Sequence, residues 1–195
     1  MLVEEGRIAN LQYHNRRLNQ TRRHFWPDSP YLDLGLAITP PPHADGFKAR
    51  AVYGREGITE LTFSPYSMRS IGTLMLVEGG DIHYKYKSTD RSALQRLAAQ
   101  KEGCDEVLIL RHGLVTDTSF TNVAFRLGTH WLTPQTPLLN GTRRQQLLDR
   151  GAIEPSEIHA SDLPRFSRIR LFNAMIGFGA IDLPTSCIMP PKPSL

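Results

Sequence analysis

The spacing of apolar and polar positions divides the chain into two stretches of different character. Arg7 to Gln12 alternates weakly and predicts a strand. Tyr13 to Phe25 sets Tyr13, Leu18 and Phe25 among helix formers and predicts a helix that Trp26-Pro27 ends. Asp28 to Gly46 is Pro-rich and aperiodic, a connection with room for a turn or two of helix. Phe47 to Tyr53 and Thr59 to Ser64 alternate on either side of a Gly54-to-Gly57 turn and predict a hairpin, and Gly72 to Glu78 predicts one more strand. Together these make an antiparallel sheet with one helix against it.

Asp81 to Lys87 joins this part to the next. Asp90 to Gln100 predicts a helix with Leu94, Leu97 and Ala98 on one face. Strands are expected over Glu106–Leu110, Leu114–Thr116, Ser119–Phe125 and His130–Thr133, with turns at Gly113 and Gly128. A helix from Thr142 to Asp149 has Gly151 where a C-terminal cap glycine belongs. Glu157–Ala160, Ile169–Phe172 and Ile181–Leu183 predict short final strands, and the Pro-rich tail from Pro190 is expected to fray. No internal repeat is present. The expected organisation is α+β: a small domain over 1–80, a linker over 81–86 and a larger β-rich domain over 87–195.

Composition narrows the function classes. A chain of 195 residues that is 40% hydrophobic and 22% charged can bury a substantial core. No apolar run approaches the roughly 20 residues of a membrane helix. The N-terminus lacks a basic start with an apolar stretch, so no cleaved secretory signal is expected. Two cysteines, Cys104 and Cys187, match no disulfide framework or metal spacing and read as small buried hydrophobes in a reducing cytoplasm; no metal is expected. The net charge of +4 comes with arginine clusters at Arg16-Arg17, Arg22-Arg23, Arg143-Arg144 and Arg165-Arg168-Arg170. Without interleaved aromatics these suit phosphate and carboxylate handling better than nucleic-acid binding. Gly177-Phe178-Gly179 does not continue to a third glycine, and no Walker lysine motif exists, which removes the Rossmann and P-loop readings.

Candidate chemistry concentrates in Gly113-Leu114-Val115-Thr116-Asp117-Thr118-Ser119-Phe120-Thr121-Asn122 and in Leu138-Leu139-Asn140-Gly141-Thr142-Arg143. A lone carboxylate, Asp117, stands in an apolar and hydroxyl-bearing run. A glycine-led helix start follows, whose free amides favour an anion. That order can put an acid and an anion site around one small cofactor. These segments resemble the class IV aminotransferases, which include D-amino-acid and branched-chain aminotransferases and aminodeoxychorismate lyase. Thr116-Asp117-x-Ser119-x-Thr121-Asn122 is similar to the family's Thr-Glu-x-x-x-x-Asn, with Asp one methylene shorter. Lys87-Ser88-Thr89-Asp90-Arg91 is similar to Lys-x-x-Asn-Arg. His14-Asn15-Arg16-Arg17-Leu18 resembles His-x-x-Arg-Leu, and Phe172-Asn173-Ala174-Met175 resembles the lyase branch's Asn-Ser/Ala-Leu/Met.

The resemblance implies pyridoxal 5'-phosphate bound between the small domain and a barrel-like larger one. It implies Lys87 as the covalent-attachment lysine, with Lys85 the runner-up on the same side of the alternation. It implies Asp117 at the pyridine nitrogen and Asn122 among the cofactor-binding residues. Thr142 and Arg143, where the family has Ile-Thr, would hold the phosphate with Asn173, Ala174 and the Arg17 cation. Arg50, Arg69 and Arg91 are candidates for the substrate carboxylate. The family's Glu-Thr-Ile/Val-Arg pocket strand has no counterpart here. The implied activity is lyase elimination of pyruvate to leave 4-aminobenzoate, or transamination to a 2-oxo acid, on a small amino substrate. The implied assembly is a cytoplasmic twofold homodimer, with no nucleic acid and no membrane. The competing reading is a basic, non-catalytic binding module on a degenerate scaffold.

Overall fold

The computed structural model describes residues 1–190; the tail expectation falls mostly on 191–195, outside the described residues. The chain divides into two compact units, Met1–Met68 and Arg69–Leu195.

The first unit holds β1 (Leu2–Glu4), β2 (Arg7–Ile8), α1 (Leu11–Phe25), α2 (Leu34–Ala37), β3 (Phe47–Tyr53) and β4 (Ile58–Pro65). Its antiparallel sheet runs in the order β2-β1-β3-β4. Glu5 and Gly6, both at positive φ, make the two-residue turn that twists β1 onto β2. The strand expected over Arg7–Gln12 therefore stops at Ile8. Asn10, in the left-handed region, turns the chain so that Tyr13 and His14 donate to its carbonyl, and the helix begins at Leu11. Ile8 and Leu11 both pack into the Leu18–Leu34–Ile38 cluster, which the bend permits and a continuous strand does not. The aperiodic connection is held by two asparagines one helical turn apart. Asn15 bonds Asp33 and the Leu34 amide, and Asn19 bonds both backbone groups of Leu32, all at 2.9 Å.

The second unit holds β5 (Leu74–Glu78), α3 (Ser92–Ala98), β6 (Glu106–Arg111), β7 (Leu114–Thr118), β8 (Asn122–Leu127), β9 (His130–Pro134), α4 (Thr142–Asp149), β10 (Glu154–Ser156), β11 (Arg168–Phe172), β12 (Ile181–Pro184) and β13 (Ile188–Met189). Its sheets run β13-β5-β6-β7 and β10-β9-β8-β11-β12. β5, expected in the first sheet, instead runs parallel to β6, and α3 crosses between them. Leu74-Met75-Leu76-Val77 is a continuous apolar run, all buried, as a strand covered on both faces requires. The hairpin strands β3 and β4 alternate because one face meets water. The boundary therefore falls at Met68/Arg69, and residues 81–86 lie inside the second unit.

Three further expectations change. Ser119-Phe120-Thr121 is a turn between β7 and β8, closed by the Thr118 and Thr121 hydroxyls 2.7 Å apart. Glu157–Ala160 is not a strand. His159 makes a single bridge to Leu114, and its amide is capped by Asp162, which starts a 3-10 turn over Ala160–Arg165. The strand there is β10, parallel to β9. α4 occupies Thr142–Asp149 as expected, and Gly151, at positive φ, donates to Leu148 to close it. Cys104 and Cys187 are both buried free thiols. Among the described residues no helix is long and apolar enough to cross a membrane.

Candidate active site

Asp117 is delivered by a bulge. Leu110 pairs with Val115 and Leu108 with Thr118, so Thr116 and Asp117 together face Ile109. The Thr116 hydroxyl fills the irregularity by donating to the Ile109 carbonyl at 2.7 Å. A bulge turns a side chain that regular alternation would place elsewhere. The carboxyl is 4% exposed. One oxygen accepts from Asn122 Nδ2 at 2.8 Å and the other from the Leu139 amide at 2.9 Å. Burial pushes the carboxyl up to about 6. The Leu139 amide, Asn122 and the more distant Arg144 guanidinium act in the opposite direction without overcoming it.

Asn122 links this acid to the start of α4. Its Nδ2 also donates to the Leu139 carbonyl at 2.8 Å. Its Oδ1 lies 2.0 Å from where a Cβ on residue 141 would stand, so only glycine fits there. Gly141 is the N-cap residue of α4 and offers no side chain to the helix amides. The first amides of any helix lack intrahelical acceptors. Beside them the Thr142 hydroxyl is buried without a hydrogen-bond partner. Arg143 turns along the helix to Gln146 at 3.0 Å.

The β7–β8 turn gathers other candidates. Arg91 donates to the Ser119 carbonyl at 2.8 Å, and Asn173 Nδ2 to the Phe120 carbonyl at 3.1 Å. Asn173 Oδ1 accepts the Met175 and Ile176 amides, so this side chain builds its own turn around Ala174. Arg69 lies 4.2 Å over the Phe120 ring and pairs with the buried Glu106 at 2.8 Å. Lys87 is exposed in the crossover from β5 to α3. The flanking Tyr84 and Ala93 pack on the same cluster as Leu138, the neighbour of Asp117's partner Leu139. Lys85 is exposed beside the Tyr86 ring. Arg17 and Arg50 belong to the first unit. Arg17 is half-buried on α1, and Arg50 pairs across the hairpin with Glu60.

Sequence reasoning missed Arg144, reading it as one of a basic cluster. It is 5% exposed and donates to Thr133 Oγ1 at 3.3 Å, Asn140 Oδ1 at 3.1 Å and the Pro134 carbonyl at 2.8 Å. The usable signal was the helix start itself: the third helical residue faces back toward the strand that precedes it. The bulge left no signal in residue types.

Residues 58–182 match the family described as Amino-transferase class IV. A Haemophilus influenzae protein without an assigned function is 34% identical over 181 residues, 91% of this chain and 96% of its own. A crystal structure from Haemophilus somnus 129pt, provisionally assigned as a 4-amino-4-deoxychorismate lyase, has a TM-score of 0.82 and 36% identity. It covers 90% of this chain and 94% of that one. The pyridoxal-phosphate-bound form of a hypothetical aminotransferase from Mycobacterium tuberculosis shares the fold, with a TM-score of 0.73 at 19% identity over 91% and 76% of the two chains. The chain belongs to the class IV aminotransferase family. It is an enzyme of the lyase and aminotransferase type, as its residue patterns implied.

Proposed function

We propose that this chain is a pyridoxal 5'-phosphate enzyme that eliminates pyruvate from 4-amino-4-deoxychorismate to leave 4-aminobenzoate. The observation that carries the cofactor reading is the arrangement around Asn122. A buried carboxylate lies at one end, and an unsatisfied hydroxyl at the start of α4 at the other. The first suits a protonated ring nitrogen and the second a phosphate. When bound, the cofactor supplies an electron sink for the substrate carbanion.

The chain's own residues do the rest. Asp117 holds a proton on the ring nitrogen. Asn122 keeps the carboxylate turned toward it. The Thr142 hydroxyl and the backbone amides at the start of α4 would hold the phosphate. The Lys87 amine would attach the cofactor and would serve as the base for the substrate proton. Arg91 and Arg69 border the turn that follows Asp117 and would supply the cations for a substrate carboxylate. We infer a cytoplasmic homodimer from the family's habit.

The lyase is preferred over transamination because of Asn173-Ala174-Met175 and the similarity to the Haemophilus somnus protein. Purified protein loaded with pyridoxal phosphate is expected to be yellow and to be bleached by borohydride with the label on Lys87. Lys87→Ala is expected to lose that label and all turnover. Release of 4-aminobenzoate and pyruvate without a 2-oxo acid supports the lyase; turnover only with a 2-oxo acid acceptor refutes it. A colourless protein that binds nucleic acid in a salt-dependent way refutes both.

A further inference from the structure

We propose that Arg144 is the positioning residue of this site: its buried guanidinium sets the path of the 134–141 connection and thereby the spacing between Asp117 and the start of α4. The inference rests on the cofactor reading above. That connection is gripped at both ends. Arg144 holds it through Pro134 and Asn140, and holds the adjoining Thr133. Asp117 and Asn122 hold it through the amide and carbonyl of Leu139.

The arrangement is not an ordinary ion pair. Its three hydrogen-bond partners, Thr133 Oγ1, Asn140 Oδ1 and the Pro134 carbonyl, are neutral oxygens, although a guanidinium 5% exposed is costly to bury without a carboxylate in contact. A rigid fork with five donors can tie three points of backbone and side chain at fixed separations, which a single ammonium cannot. The charge also acts across the connection. The groups facing Asp117 are the Leu138 and Leu139 amides, the Asn122 carboxamide from β8 and the Arg144 guanidinium from α4. Arg144 is the one cation among them, and it favours the charged carboxylate that a ring nitrogen would meet.

The test uses the full chain without cofactor. Asp117 is followed by carboxyl-carbon NMR across pH, and the Leu139 amide by hydrogen exchange. Arg144→Gln is expected to raise the Asp117 midpoint by about one pH unit and to speed Leu139 exchange more than about tenfold relative to distant amides such as those of β3. Arg144→Lys, which keeps charge and loses the fork, is expected to leave the Asp117 midpoint near its wild-type value while Leu139 still exchanges faster. Pyridoxal phosphate affinity is expected to fall about tenfold in both.

A folded Arg144→Gln protein with unchanged Asp117 titration and unchanged Leu139 exchange overturns the proposal. If that variant does not fold, wild-type exchange at Leu139 in Arg144→Lys overturns it. Failure of the wild-type protein to bind pyridoxal phosphate would instead sink the cofactor reading, and the cofactor-free readouts would still decide the role of Arg144.

Discussion

Asp117 makes the cofactor-free protein less stable as pH rises, and one substitution isolates the effect. The folded chain keeps the proton on this carboxyl up to about pH 6, whereas an unfolded chain releases it near the ordinary value of 3.8. Between those values the folded state binds more protons. The contribution of Asp117 to stability is therefore greatest below 3.8 and is lost as pH rises through about 6. The gap between the two values corresponds to about 3 kcal/mol at full ionisation. About 2 kcal/mol of that develops between about pH 4.5 and about pH 8.

Asp117→Asn removes the titration. It also puts an amide NH2 against either the Leu139 amide or Asn122 Nδ2, both of which need an acceptor. That clash costs stability, but equally at every pH. The informative quantity is thus the stability gap between variant and wild type, from urea unfolding of both at each pH. Other carboxylates cancel in it, including Asp105, which the Gly72 and Thr73 amides hold below its ordinary value. The gap is expected to move about 2 kcal/mol in favour of the variant from about pH 4.5 to about pH 8. A gap constant to within about 0.5 kcal/mol, or moving the other way, refutes the account of Asp117 as a carboxylate ionised at the expense of burial.

Three more changes test neighbouring parts of the argument. Thr142→Val replaces the unsatisfied buried hydroxyl with a methyl of similar shape. Urea unfolding is expected to show cofactor-free stability unchanged or raised by up to about 1 kcal/mol, while a titration shows pyridoxal phosphate binding weakened about tenfold; loss of stability without loss of affinity contradicts the hydroxyl's role. Gly141→Ala forces its methyl onto Asn122 Oδ1 and is expected to cost about 1–3 kcal/mol in the same assay, with cofactor affinity falling too; a neutral result means Asn122 does not approach as described. Asn19→Ala releases the Leu32 backbone and is expected to cost about 2 kcal/mol. Its hydrogen-exchange footprint should stay within residues 28–46, and spread into the second unit would contradict the local account.

Much of this was legible in the sequence, and the rest was hidden for physical reasons. α4 was bounded because glycines at each end answer to local conformation, one as N-cap and one at positive φ. The β3–β4 hairpin was visible because one of its faces meets water. β5 was assigned to the wrong sheet because an all-apolar run says that both faces are covered, not which strand lies alongside. The Asp117 neighbourhood was found by its residue pattern, but the bulge that aims it depends on pairing with β6, a tertiary fact. Asn173 shows the opposite limit. Its pattern matched, yet its side chain closes a turn, as an asparagine in a turn does anywhere.

The bulge, the Asn122 bridge and the Arg144 fork are costly features when judged as packing. Each buries a polar group or excludes a Cβ, and together they surround one acid kept short of full charge. Such features persist where a ligand offsets them. A cation placed against Asp117 converts its burial from a penalty into an attraction. Up to about 3 kcal/mol of stability missing from the empty protein at neutral pH then becomes available to binding, on the order of a hundredfold in affinity. The same linkage requires the bound state to draw the Asp117 midpoint downward, well below about 6. A neutral occupant would leave it where it is, so the direction in which loading moves this one midpoint distinguishes a protonated heterocycle from any uncharged ligand of the same shape.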